Sequence, residues 1–263
     1  MDEAKKVSIQ NIVDREIKKF ADSYEARFTN EVNDPEGVIN SKKNNCFVAE
    51  LGKEFMFYSA FVRSFDSSFG KVLEKIGNEV AKLSYDVRGN IDSFLLPQQS
   101  QHMDYIILEY EKHRKPMTSD YCDFTCMIPA DTRSFEKSHV TDHYFYNNEK
   151  NEHYLIELKA GGDLDNKKAK TEKLAMLQEY FILKNSLIDK PNDKIKLFFG
   201  TAYNKYGENS EWKQERVKQF FAEDELLIGK DYPEGFNIVF EQYKKSSEYI
   251  KEALERIKVL YFK

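Results

Sequence analysis

Asp142, Glu157 and Lys159 lie within the stretch TDHYFYNNEKNEHYLIELKA and have the types and spacing to act together. TDHYFYN and HYLIELKA are rich in aromatic and branched side chains, and the intervening NEKNE is polar, so the stretch reads as a hairpin of two strands. Residues two apart on a strand share a face. Leu155, Glu157 and Lys159 therefore point one way. Tyr154, Ile156 and Leu158 form an opposite, apolar face suited to packing on a helix. A hairpin symmetric about Glu149 and Lys150 sets Tyr146 opposite His153, Tyr144 opposite Leu155 and Asp142 opposite Glu157. Such partners lie roughly 4.5–5.5 Å apart at Cβ. Two carboxylates that close repel, and a divalent cation relieves the repulsion. Mg²⁺ takes one or two carboxylates and keeps several waters, leaving room for a phosphate oxygen and an attacking water. The Leu158 carbonyl is a further candidate ligand. Lys159 beside the cation would orient or deprotonate the water, or neutralise phosphate charge. A one-residue slip would send the acids to opposite faces, so everything rests on register.

The elements that must hold this hairpin follow from periodicity. Ile9, Ile12, Val13, Ile17, Phe20, Ala21, Tyr24 and Phe28 recur at helical spacing. Two more helices are expected from Phe47 to Phe65 and from Phe69 to Leu83, the second N-capped by Ser67 or Ser68. MDYIILEY, from Met103 to Tyr110, reads as a strand. After the hairpin come a helix from Ala169 to Lys184 and a strand at KIKLFFGTAY. A helix from Trp212 to Phe221, a short strand from Phe236 to Phe240 and a closing helix from Tyr243 to Tyr261 complete the reading. The order from residue 68 is helix, three strands, helix, strand, an α/β core. The expected division is a helical extension over 1–66 and a core with its C-terminal helix over 67–263, together one compact unit.

Composition limits the classes. The 263 residues are 41% apolar, enough for a sizeable core. No apolar run reaches the length of a membrane span, the charged N-terminus is not a secretory signal, and three cysteines make no disulfide framework. A cytoplasmic protein without a membrane role is expected. The net charge of −5 argues against a wholly basic nucleic-acid binder, but an enzyme can confine its cations to one cleft. Cys46, Cys122, Cys126 and His113 lack zinc spacing and are expected as buried thiols and an isolated imidazole.

Asp142 on one strand and Glu157-Leu158-Lys159 on the next, within such a core, resemble the PD-(D/E)xK nuclease superfamily over the region from Ser68 to Tyr203, with Thr141 where the superfamily often has Pro. ELKAGGDLDNKKAKTEK, from Glu157 to Lys173, is similar to the TdeIII-like type II restriction endonucleases. The resemblance implies an αβββαβ core and a Mg²⁺-dependent homodimer, with Mn²⁺ able to substitute, that cleaves short palindromic double-stranded DNA at a GGNCC-like site. It implies Asp142, Glu157 and the Leu158 carbonyl as metal ligands and Lys159 as the catalytic ammonium. An acid on the helix before the sheet joins them, with Glu74 the candidate and Glu79 the alternative. Glu-x-Lys itself occurs four times in the chain; only the Glu157 copy lies on an apolar strand after an Asp-bearing one.

Lys167, Lys168, Lys170 and Lys173 follow the cap-type residues Asp163, Asp165 and Asn166 at a helix start. Free N–H groups and the helix dipole there favour phosphate, so these lysines are expected on the DNA backbone. Asp163 is a possible extra ligand, and Gln178 stands at the edge of the apolar face of the same helix. Candidates for reading base edges are His113, Arg114, Lys115 and Arg133 in one segment and Asn204, Lys205, Asn209 and Arg216 in another. The N-terminal helices would form the dimer interface or clasp DNA. Two other readings stay open: a repair or structure-selective nuclease of the same fold, and a non-catalytic α/β interaction protein.

Overall fold

The apolar stripe read near the N-terminus is a helix, α1 (Glu3–Asn33), capped by the Asp2 carboxylate accepting from the Lys5 N–H at 2.7 Å. The computed structural model describes residues 1–229 and 236–262. They fall into two compact units, Met1–Val80 with Glu234–Lys263, and Ala81–Pro233.

In the helical unit, α1 is followed by the short α2 (Cys46–Ala49) and by α3 (Gly52–Ala81). The expected break at Ser67 and Ser68 does not occur. Phe57, Phe61, Phe65, Phe69, Val72 and Ile76 keep helical period straight across it and pack on α1, so there is no terminus for those serines to cap. The unit is closed by the last helix of the chain (Phe236–Tyr261). The expected strand from Phe236 to Phe240 is that helix's first turn and a half. Ile250, Leu254 and Ile257 complete the stripe that packs with Phe20, Tyr24 and Phe28 of α1. The C-terminal helix therefore belongs with the N-terminal helices rather than with the sheet.

The sheet unit runs β1 (Asp86–Phe94), α4 (Pro97–Glu111), α5 (Ser119–Cys122), β2 (Glu136–Asn147), β3 (Glu152–Lys159), α6 (Asn166–Ser186), β4 (Lys194–Thr201), α7 (Glu215–Lys218) and β5 (Leu226–Ile228); the closing helix is α8. Five strands lie in the order β1-β2-β3-β4-β5. The first three are antiparallel, and β3, β4 and β5 are parallel, with α6 as the crossover. The first strand is earlier than expected, because MDYIILEY belongs to α4. Pro97 stands at the helix start, where its missing N–H costs nothing, and Gln99 accepts from the Leu96 N–H at 2.9 Å. Met103, Ile106, Ile107 and Tyr110 then bury one helical face. From Trp212 to Phe221 only α7 is helical. The result is a mixed α/β fold with an open sheet flanked by helices, consistent with a restriction endonuclease fold.

The core places Leu155, Tyr144 and Ile91 of the sheet against Ala169, Met176, Leu177 and Phe181 of α6. The covered side of β3 is thus the Leu155, Glu157, Lys159 side, not the Tyr154, Ile156, Leu158 side expected to take a helix. On the latter, Tyr154 meets the rings of Tyr85 and Phe198. Cys46 and Cys122 are exposed and Cys126 half-buried, all free thiols, which corrects the expectation of buried ones. Among the described residues no helix is long and apolar enough to cross a membrane.

Candidate active site

The hairpin forms in the expected register, with Tyr146 opposite His153 and Tyr144 opposite Leu155. The ladder ends at His143 opposite Ile156, one pair short of Asp142 and Glu157. Toward β1 the strand is irregular there: Arg88 faces Tyr144 and Asn90 faces Val140, so Thr141, Asp142 and His143 together oppose Gly89. A bulge of this kind bends the strand and re-aims its side chains. Asp142 sits half-buried in the bulge, close enough for its charge to act on Glu157 and Glu179.

Because α6 covers this face, the acids lie at the rim of the core. Burial pushes the Glu157 carboxyl up to about 8; Lys159 pulls against it, while Asp142 and Glu172 add to the push. Lys159 Nζ donates to Glu157 Oε1 and stands 3.1 Å from Glu172 Oε1. Burial works against the charge on Lys159, but the two glutamates outweigh it and raise its pKa. Glu179, two turns beyond Glu172 on α6, is buried, with Oε1 3.1 Å from His139 Nδ1. Burial, with Asp142 and Glu172, pushes Glu179 up to about 7. Glu172 and Glu179 were missed in the sequence, although their seven-residue spacing on one helix was the signal that could have paired them.

The Gly161-Gly162 pair lets the chain leave β3 tightly past β4. A Cβ on Gly161 would lie 2.5 Å from Tyr203 Oη, and one on Gly162, at φ +64°, would lie 2.5 Å from Thr201 Cγ2. The turn ends at Asp165, which caps α6 by accepting from the Lys168 N–H at 2.8 Å. Asp163 is exposed and held by Lys205 and Gln214, both at 2.8 Å, so it is engaged away from Glu157.

Other expected residues are distributed unevenly. Glu74 is half-buried on α3 in the helical unit, and Glu79 on the same helix pairs with Arg15 at 3.6 Å; within the sheet unit, the helix acids near Lys159 and Asp142 are Glu172 and Glu179 of α6. Leu158 pairs with Gly200 in the parallel ladder. Lys167 and Lys168 are exposed, and Lys170 is half-buried beside Glu111 at 2.8 Å. Lys173 is fully buried, paired with Glu225 and lying over the rings of Tyr121 and Phe221, so it cannot reach a phosphate. Arg114 is held by Asp120 at 2.9 Å, Lys115 stands 3.2 Å from Glu223, and Arg133 pairs with Asp131 at 2.8 Å. Asn204 is buried, donating to the Ser210 carbonyl and accepting from the Tyr206 N–H. It shapes its own turn rather than reading a base. His113, Arg114, Lys115, Arg216 and Lys218 line one groove of about 370 Å³ that reaches Asn166 at the start of α6.

The donor set fits a hard divalent cation: carboxylate oxygens of Asp142 and Glu157, crowded and partly desolvated. Among the described residues no three His, Cys, Asp or Glu side chains are gathered into a metal-holding group.

A family model described as "Type II restriction endonuclease, HinfI" matches residues 5–253. It is this family that matches, rather than the TdeIII-like group that the segment from Glu157 to Lys173 resembles. No curated protein and no solved structure matches the chain.

Proposed function

The chain belongs to the HinfI family of type II restriction endonucleases, and we propose that it hydrolyses phosphodiester bonds at short palindromic sites in double-stranded DNA as a Mg²⁺-dependent homodimer. The observation that carries the site assignment is the meeting of Glu157 and Lys159, at the end of β3, with Asp142 in the β2 bulge. Asp142 and Glu157, with the Leu158 carbonyl, hold the cation, and Mn²⁺ serves in place of Mg²⁺. When bound, the cation would supply charge neutralisation at the phosphate and would polarise a bound water, lowering its pKa below that of bulk water. Lys159 brings its ammonium to the same patch and steadies the attacking water or the phosphate oxygen.

Lys167 and Lys168, beside the free N–H groups of α6, and the basic groove from His113 to Lys218 supply backbone contacts. Lys115, Arg133, Lys205, Asn209 and Arg216, all exposed, are the candidates for base edges. The dimer is assigned to the helical unit, where Phe55, Tyr58 and Val62 make a band at helical spacing on α3, 40–53% exposed, and Phe47 and Leu51 just before that helix are exposed as well. A palindrome calls for two-fold symmetry, which a second copy on that band would supply.

The test is digestion of plasmid DNA with Mg²⁺ by the wild type, Glu157→Ala and Lys159→Ala. Discrete fragments are expected from the wild type and at least a 10²-fold slower reaction from each variant. Intact DNA with the wild type, or full activity of Glu157→Ala, would overturn the assignment.

A further inference from the structure

We infer that Glu172 is a positioning residue that holds Lys159 whenever the Glu157 carboxylate is engaged as a ligand. The inference rests on the reading that Glu157 binds the cation. Lys159 Nζ lies between two carboxylates from different elements, Glu157 two residues before it on β3 and Glu172 on α6. The Lys159–Glu157 pair weakens once Glu157 becomes a ligand, because an ion on that carboxylate repels an ammonium held at its Oε1 and draws away its charge. An ammonium with nowhere else to go would compete for Glu157 and weaken the site, or swing away from the chemistry. Glu172 removes that conflict by offering a second anion 3.1 Å away.

The geometry of Glu172 is fixed from both sides. Its neighbour Lys173 is locked in the core against Glu225, and Ala169 and Met176, one turn before and after, are fully buried. Helical spacing then sets Glu172 above Lys159 and Glu179 above His139. Glu172 is thus held by α6, not by the hairpin, and stays in place when the hairpin's carboxylates change partners.

A double-mutant cycle on metal affinity tests this. Mg²⁺ is titrated calorimetrically into the DNA-free protein: wild type, Glu172→Gln, Lys159→Met and the double variant, with Glu157→Gln alongside and near-UV circular dichroism to verify each fold. Glu172→Gln is expected to weaken Mg²⁺ binding roughly two- to fivefold, the size of one partly exposed ion pair, and to have no effect once Lys159 is Met. An equal loss in the Lys159→Met background would make Glu172 a direct or electrostatic ligand, and no loss in either background would leave it without this role; both overturn the inference. Undiminished Mg²⁺ binding by Glu157→Gln would instead overturn the site assignment beneath it.

Discussion

Glu157 is the side chain whose state the surroundings govern most, and the sign of that control is testable. Its folded pKa of about 8 lies above the ordinary 4.5, as does that of Glu179 at about 7. A group raised in the folded state contributes stability that is fully present below its unfolded pKa and is lost as pH rises through the folded value. The metal-free protein should therefore lose thermal stability between pH 5 and pH 9, and Glu157→Gln should flatten that decline; a parallel decline in the variant would reject the assignment. Because a ligand must be ionised, Mg²⁺ should recover stability most at the alkaline end. At this scale the nearness of Asp142, Glu157 and Lys159 was legible from the period-two alternation of β3 and the hairpin centre. The sequence could not disclose Glu172, Glu179 or the burial of Lys173, since charges along α6 look the same whether water or Glu225 meets them.

Between elements, the link from β3 to α6 carries the site. Gly162 combines a left-handed backbone with no space for a Cβ beside Thr201. Gly162→Ala should cost ~2 kcal/mol or more in urea denaturation and depress cleavage with it. Thr201→Ser, which removes the obstructing methyl, should recover part of the loss; a neutral Gly162→Ala would contradict the tight passage. The hairpin was legible because its loop and both apolar faces are local. β1 was not, because DVRGNIDSF is an edge strand with only two buried residues, Ile91 and Phe94, and its alternation is weak. α4 was misread because branched and aromatic residues in MDYIILEY favour a strand, whereas Pro97, Gln99 and the burial of one helical face override that preference.

For the whole molecule, the exposed band of the helical unit makes a quantitative demand. With Phe55 and Tyr58 both changed to Glu, self-association measured by sedimentation should weaken ~100-fold, the loss of two central apolar anchors. Unchanged dimerisation would move the interface elsewhere. The expected boundary at residue 66 came from the order of helices and strands along the chain and could not reveal that α8 returns to α1, because that pairing joins stretches far apart in the chain. Pairing α1 with α8 also dictates an order of birth. The sheet unit is encoded between the two helices that close the other unit, so a ribosome finishes the strands, α6 and the candidate site while α1 still lacks its partner. If the helical unit carries dimerisation and the candidate site cuts DNA, a nascent chain would hold that site before it could form the two-fold assembly that a palindrome calls for, and synthesis itself would delay cleavage until α8 emerges.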